Sequence, residues 1–194
     1  MSEPAGALVY VMGPSGAGKD SVLGRARALL DDDLPVVFAH RYITRPADTG
    51  GENHVALSVA EFELRRGWGL FAFDWEAHGN RYGIGLEIQA WRRLGLTVVV
   101  SGSREHFKTA GGIDEDTLPV LITAPAERLA ERLAARGREN SHSAAARLQR
   151  GEAYIVNDAR LVTIVNDGML DTAAREFVNL LATLAPRQAV RRLA

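Results

Sequence analysis

Gly13-Pro14-Ser15-Gly16-Ala17-Gly18-Lys19-Asp20-Ser21 stands directly after the apolar run Ala7-Leu8-Val9-Tyr10-Val11-Met12. The order reads as a strand, a tight glycine-rich loop, and a helix beginning near Lys19. Glycines at 13, 16 and 18 leave room for successive backbone N–H groups to turn inward around a phosphate at the positive end of the helix. The spacing Gly13-x4-Gly18-Lys19 is that of a nucleotide-binding loop, and the strand before it separates it from a glycine-rich turn that merely connects. Gly13 to Ser21 are therefore the expected nucleotide-binding residues: Gly13, Pro14, Ser15, Gly16, Ala17, Gly18, Lys19, Asp20 and Ser21. The chain uses 21 arginines and only two lysines, Lys19 and Lys108. A compact ammonium fits a crowded loop over phosphate where a planar guanidinium would be too bulky.

Asp20 departs from the usual pattern, which has a Ser or Thr whose hydroxyl binds Mg²⁺. A carboxylate about 4 Å from a phosphate charge is repelled by roughly 4 kcal/mol at an effective dielectric near 20. Two readings follow: Asp20 shares a metal ion with the phosphates, or it points away and serves the helix N-terminus. Ser21 is the alternative source of the hydroxyl, so Asp20 and Ser21 are the metal-site candidates.

At 194 residues and 46% hydrophobic content the chain suits one domain with small insertions. A net charge of −1 gives no polycationic face for nucleic acid. The absence of cysteine excludes disulfides and thiolate nucleophiles. With no basic leader and no apolar run near 20 residues, no membrane partner is expected and the reading is cytosolic. Oligomeric state is open.

Apolar runs at 7–12, 35–39, 96–100, 118–122 and 161–165 alternate with helical patterns at Asp20–Leu30, Glu87–Leu94, Pro125–Arg136 and Asp171–Leu184. That alternation predicts an α/β fold, a five-stranded parallel sheet flanked by helices, with ligands at the carboxyl ends of the strands. Core segments are expected at about 1–40, 86–135 and 151–194. Residues 41–85 interrupt the alternation with polar turns, an aromatic stretch and a short helix capped by Ser58, with Glu61 completing a capping box. They are expected to form a small acceptor-binding lobe, and the arginine-rich stretch 136–150 a lid.

Arg128, Arg132 and Arg136 recur every four residues along one helix face, and Arg147 follows after Gly137. Beside a phosphate loop Arg132, Arg136 and Arg147 read as cations for a migrating phosphoryl group; the alternative is a solvated face paired with Glu127, Glu131 and Glu139. Arg41 and Arg45 follow the second strand and suit a second phosphate. Tyr82, in Gly79-Asn80-Arg81-Tyr82-Gly83, either donates its hydroxyl to that phosphate or is an ordinary turn aromatic.

Over nearly its whole length the chain resembles the guanylate kinase family. The carriers are the phosphate loop, Ile43-Thr44-Arg45, Gly79-Asn80-Arg81-Tyr82-Gly83, Val165-Asn166-Asp167 and the arginines at 132, 136 and 147. The departures fall where guanine is read. The expected glutamate falls on Phe73, or on Asp74 with a one-residue slip, and the acidic strand end becomes Val100-Ser101-Gly102-Ser103. A site built for guanine needs an acceptor for N1–H, so its loss removes the discrimination.

That combination is similar to the ribose 1,5-bisphosphate phosphokinases, guanylate-kinase-like enzymes of phosphonate catabolism. The match is carried by Lys19-Asp20-Ser21, by Ala39-His40-Arg41-Tyr42-Ile43-Thr44-Arg45 continuing to Glu52-Asn53-His54, and by Arg136-Gly137-Arg138-Glu139-Asn140. The resemblance implies ATP as co-substrate, Mg²⁺, and ribose 1,5-bisphosphate as the small-molecule partner. It implies Lys19, Arg132, Arg136 and Arg147 as catalytic, and Arg41, Arg45, Tyr82, His54 and Glu52 as acceptor ligands. A nucleoside monophosphate kinase and an inactive protein-binding relative are the alternatives.

Overall fold

The computed structural model describes residues 5–47, 54–110, 113, 116–135 and 156–185. Glu52, Arg136, Arg147 and the expected lid at 136–150 lie outside the described residues.

Five strands form one parallel sheet: β1 Leu8–Met12, β2 Val36–Phe38, β7 Thr97–Ser101, β8 Thr117–Thr123 and β9 Val162–Val165, in the order β2-β7-β1-β8-β9. Each coincides with one of the apolar runs. Strands buried on both faces read as continuous apolar stretches, and β1 is fully buried along its five residues. Its side chains part by alternation. Val9 and Val11 face a core shared with α1 Lys19–Leu29 and α6 Leu170–Leu184, where Val22, Phe177 and Leu181 are buried. Leu8, Tyr10 and Met12 face the other core, with Ile88 of α3 Glu87–Arg93 and Phe107 of α4 Arg104–Thr109. Arg25 of α1 and Asp171 of α6 close the first layer with a two-point ion pair at 2.6 and 2.8 Å. α5 Ala126–Ala135 follows β8.

Residues 41–85 form a second, four-stranded sheet in the order β4-β3-β6-β5: β3 Arg41–Ile43, β4 Val55–Ala56, β5 Phe71–Ala77 and β6 Asn80–Gly85. These strands carry too few consecutive apolar residues to stand out in the sequence. Helix α2 Val59–Gly67 joins β4 to β5, and Ser58 Oγ accepts from Glu61 N at 3.1 Å. The Glu61 carboxylate takes Arg65 Nε at 2.7 Å.

Gly79–Gly83, expected as a turn, is mostly strand. The turn between β5 and β6 is His78-Gly79, whose φ angles of 51° and 73° are the left-handed pair that a two-residue hairpin requires. Asn80 to Gly83 then run in β6 with alternating faces, which places Arg81 and Tyr82 on opposite sides. No helix among the described residues is long and apolar enough to cross a membrane.

Candidate active site

All strands of the parallel sheet end on one edge, and the loop 13–18 leaves the central one there. Gly16 and Gly18 hold φ of 89° and 76°, which a side chain would strain. A Cβ on Gly18 would also come 2.6 Å from Asn166 Nδ2, the group that donates to Ala17 O at 2.8 Å. Asn166, at the end of β9, is thus built against the loop.

Arg132 reinforces the same contact. Its guanidinium donates to Asn166 O at 3.0 Å and to the carbonyls of Ala17 and Gly16 at 3.4 and 3.5 Å. Helix α5 thus delivers Arg132 to the loop's carbonyls, where its charge holds the loop in place; it is not among the residues lining the cleft.

The cleft has a volume of about 390 Å³ and lies between the loop and the face of the second sheet. Four cations line it, Lys19, Arg41, Arg45 and Arg104, against two carboxylates, Asp20 and Glu105. The excess of positive charge suits a polyanion. Lys19 Nζ donates to Asp20 Oδ1 at 2.6 Å and to the hydroxyl of Ser101, at the end of β7. Arg41 stands 3.8 Å from the same Asp20 oxygen and 5.3 Å above the Tyr82 ring. Asp20 therefore faces the cleft between two cations rather than pointing away. Ser21 is exposed and is not among the residues lining the cleft, whereas Asp20 is.

Arg45 is fixed from behind. His54, 8% exposed, holds Arg45 O through Nε2 at 3.1 Å and meets Arg45 Nη2 through Nδ1 at 3.5 Å. One tautomer, protonated on Nε2, satisfies both contacts. His54 is a clamp on Arg45, not part of the cleft wall. Thr44 ties the same turn to β6, donating from N to Arg81 O at 3.1 Å and accepting from Arg81 N at 2.9 Å.

The third wall is aromatic. Trp75 and Tyr82, opposite one another on β5 and β6, stack at 5.5 Å with 5° between planes. Phe73, on the same face of β5 as Trp75, meets the Tyr10 ring edge-on at 6.2 Å and His106 at 5.8 Å. Asp74 faces the other way and pairs with Arg66 at 3.1 Å. The carboxylate that a one-residue slip would bring to the pocket is therefore on the opposite face, and the position is apolar. Arg81 is likewise turned out, 2.7 Å from Glu63 and 3.1 Å from Glu76.

Helix α4, which the sequence reading missed, supplies Arg104, Glu105 and His106. At six residues it is too short for a periodic apolar signal. Its start is pinned by Tyr10, whose hydroxyl accepts from Ser103 N at 3.1 Å and lies 3.2 Å from Ser103 O and 3.0 Å from His106 Nδ1. Burial pushes the Tyr10 hydroxyl well above the ordinary tyrosine range. A Cβ on Gly102 would fall within the Tyr10 ring, so this corner admits only glycine.

Burial among Tyr10, Phe73 and Trp75 also holds the His106 imidazole below its ordinary pKa, with Asp74 partly opposing the shift. The folded protein then disfavours protonated His106, so the unfolded chain binds more protons as the pH falls through about 6.5 toward the lower folded value. Stability is expected to fall on acidification across that window. Urea midpoints at pH 7.5 and 5.5 for the wild type and His106→Gln check it: the variant should lose less on acidification, and an equal loss would assign the acid sensitivity elsewhere.

No family model matches the chain. It is 53% identical over 174 residues to a ribose 1,5-bisphosphate phosphokinase PhnN of Desulfomicrobium baculatum, covering 90% of this chain and 93% of the relative. A protein of the same name from Thiobacillus denitrificans is 47% identical, with 94% and 95% covered, and one from Burkholderia mallei is 50% identical, with 92% and 96% covered. The guanylate kinase from Anaplasma phagocytophilum superposes with a TM-score of 0.67 over 99% of this chain and 92% of its own, at 20% identity. The fold is therefore guanylate-kinase-like.

Proposed function

The chain belongs to the family of ribose 1,5-bisphosphate phosphokinases, and on that premise we propose that it transfers the γ-phosphoryl group of ATP to the 1-phosphate of ribose 1,5-bisphosphate. The products are ADP and 5-phosphoribosyl 1-diphosphate, in phosphonate catabolism. The observation that carries the choice of acceptor is the pairing of cleft and core: phosphate-binding cations line the cleft, while the position expected to read guanine is Phe73, a ring packed against Tyr10 and His106 rather than a carboxylate.

An oxygen of the 1-phosphate attacks the γ-phosphorus in line. The bond from that phosphorus to the β–γ bridging oxygen breaks, and its electron pair leaves with ADP. The second ionisation of a phosphate monoester has a pKa of about 6, so the attacking oxygen is already anionic at neutral pH and no general base is needed. The chain's contribution is then position and charge. The loop amides and Lys19 bind the β- and γ-phosphates of ATP. Arg41 and Arg45, with the Tyr82 hydroxyl, hold the 1-phosphate beside them. Arg136 and Arg147 are the remaining candidates for neutralising the migrating group. Phosphorus NMR on a mixture of protein, Mg-ATP and ribose 1,5-bisphosphate tests the reaction: a new diphosphate at C1 is expected, and ATP loss with only inorganic phosphate formed would refute it.

Among the described residues no cluster of three or more His, Cys, Asp or Glu could hold a metal ion by itself. One carboxylate beside phosphate oxygens nevertheless fits Mg²⁺, which keeps several waters and takes one or two protein oxygens. Asp20 would be that ligand, and the ion supplies charge neutralisation on the β- and γ-oxygens. Asp20→Asn is then expected to raise the Mg²⁺ concentration for half-maximal rate severalfold. An unchanged Mg²⁺ dependence would leave Asp20 as a partner of Lys19 and Arg41 only.

A further inference from the structure

The acceptor carries two phosphates, and the cations assigned above serve only one of them. Arg41 lies against the loop through Asp20, and Arg45 leaves the end of the same strand. Both belong at the transfer end. Arg81, the other arginine of the second sheet near this hairpin, is engaged with Glu63 and Glu76 on the far face. One cleft cation is left without a role.

We propose that Arg104 binds the 5-phosphate of the acceptor, an assignment that rests on ribose 1,5-bisphosphate being the acceptor. Arg104 lines the cleft as the first residue of α4, directly past the end of β7. Its backbone is held on a rigid support. Ser103, the residue before it, has both its N–H and its carbonyl within hydrogen-bond distance of the Tyr10 hydroxyl, and Tyr10 is fully buried. Gly102 N donates to Val11 O at 2.8 Å, which ties the same turn to the central strand. His106, one residue beyond Glu105, packs among Tyr10, Phe73 and Trp75.

Arg104 thus shares the cleft with Trp75 and Tyr82, the stacked pair of the second sheet. A guanine would be read by a carboxylate at the position that Phe73 occupies. A compact tetrahedral anion needs a positioned guanidinium, whose fork of donors matches phosphate oxygens. Glu105 also lines the cleft, and a carboxylate there accepts from the ribose hydroxyls. Phe73 and Arg104 together exchange one specificity for the other: the ring offers a base no acceptor, and the guanidinium rewards a second phosphate.

The test uses two probes that each carry one of the two phosphates, ribose 5-phosphate and ribose 1-phosphate, as competitive inhibitors of ribose 1,5-bisphosphate turnover. In Arg104→Gln the inhibition constant of ribose 5-phosphate is expected to rise tenfold to a hundredfold, the loss of one charge-assisted phosphate contact. That of ribose 1-phosphate and the KM for ATP should stay within about twofold, and Arg104→Lys should recover part of the lost affinity. Arg45→Ala should show the reverse pattern. Equal weakening of both probes by Arg104→Gln would show a structural role and overturn the assignment. So would an unchanged constant for ribose 5-phosphate, or no inhibition of the wild type by it. If the wild type does not turn over ribose 1,5-bisphosphate at all, the acceptor assignment fails instead, which is visible before any variant is made.

Discussion

Lys19→Ala is expected to lower the rate of phosphoryl transfer by 10² to 10³ while the protein stays folded. The Lys19 ammonium sits at the head of α1, 13% exposed, with Asp20 on one side and the Ser101 hydroxyl on the other. It is the only cation supplied by the loop itself, and it is held where β- and γ-phosphate oxygens would lie. Removing one preorganised donor from a developing charge in a water-poor site costs about 2.7 to 4 kcal/mol of transition-state stabilisation. Lys19→Arg should fail nearly as badly, because a guanidinium is planar and larger than the space between Asp20 and Ser101. Steady-state rates at saturating ATP and acceptor, with near-ultraviolet circular dichroism as the check on folding, give the result. Activity above about a tenth of wild type, only ~1.4 kcal/mol, would remove Lys19 from the catalytic set.

Arg45→Ala is the second large effect. The backbone that carries Arg45 is held by His54 Nε2 and by the Thr44 pairing to β6, and the guanidinium itself meets His54 Nδ1 at 3.5 Å, so part of the ordering cost is met before a phosphate arrives. One charge-assisted contact is worth roughly 1.5–3 kcal/mol, or about tenfold to 150-fold in kcat/KM for the acceptor. The KM for ATP should not change. His54→Ala should show a smaller loss in the same parameter, since it loosens Arg45 without removing it, and His54→Gln should restore part of it. An effect of Arg45→Ala on ATP alone would place that arginine on the donor.

Sequence and structure agree most closely where a feature has both a periodic pattern and a required chemistry. The loop at 13–18 could be read because three glycines, one lysine and a preceding apolar run leave few alternatives. The five strands of the parallel sheet could be read because strands covered on both faces are dominated by Val, Ile and Leu, with Thr97, Ser101 and Thr117 at strand ends. The second sheet was hidden because β3 and β4 are only three and two residues long and β5 interrupts its apolar residues with Asp74 and Glu76, and reading residues 79–83 as a turn concealed that Arg81 and Tyr82 must point opposite ways.

The ambiguity between Phe73 and Asp74 was one of register, and strand alternation settles it. Arg104 gave no signal: a single arginine in a six-residue helix becomes visible only when the fold brings it to the cleft. Arg132 lies on the expected helix, but its contacts to the loop carbonyls could not be foreseen, because four-residue spacing defines a helix face and not what that face meets. His54, expected at the acceptor, is found holding Arg45.

The most direct measurement is the initial rate of ADP formation with Mg-ATP and each of four acceptors at equal concentration: ribose 1,5-bisphosphate, GMP, AMP and UMP. Phe73, packed against Tyr10 and His106, puts a ring where the guanine-reading carboxylate is expected, while the cleft keeps four cations for phosphate. Ribose 1,5-bisphosphate is expected to be used at least a hundredfold faster than any nucleotide, about 2.7 kcal/mol, the size of one charge-assisted contact to its second phosphate. Faster turnover of GMP than of ribose 1,5-bisphosphate would contradict the acceptor assignment and make the protein a guanylate kinase.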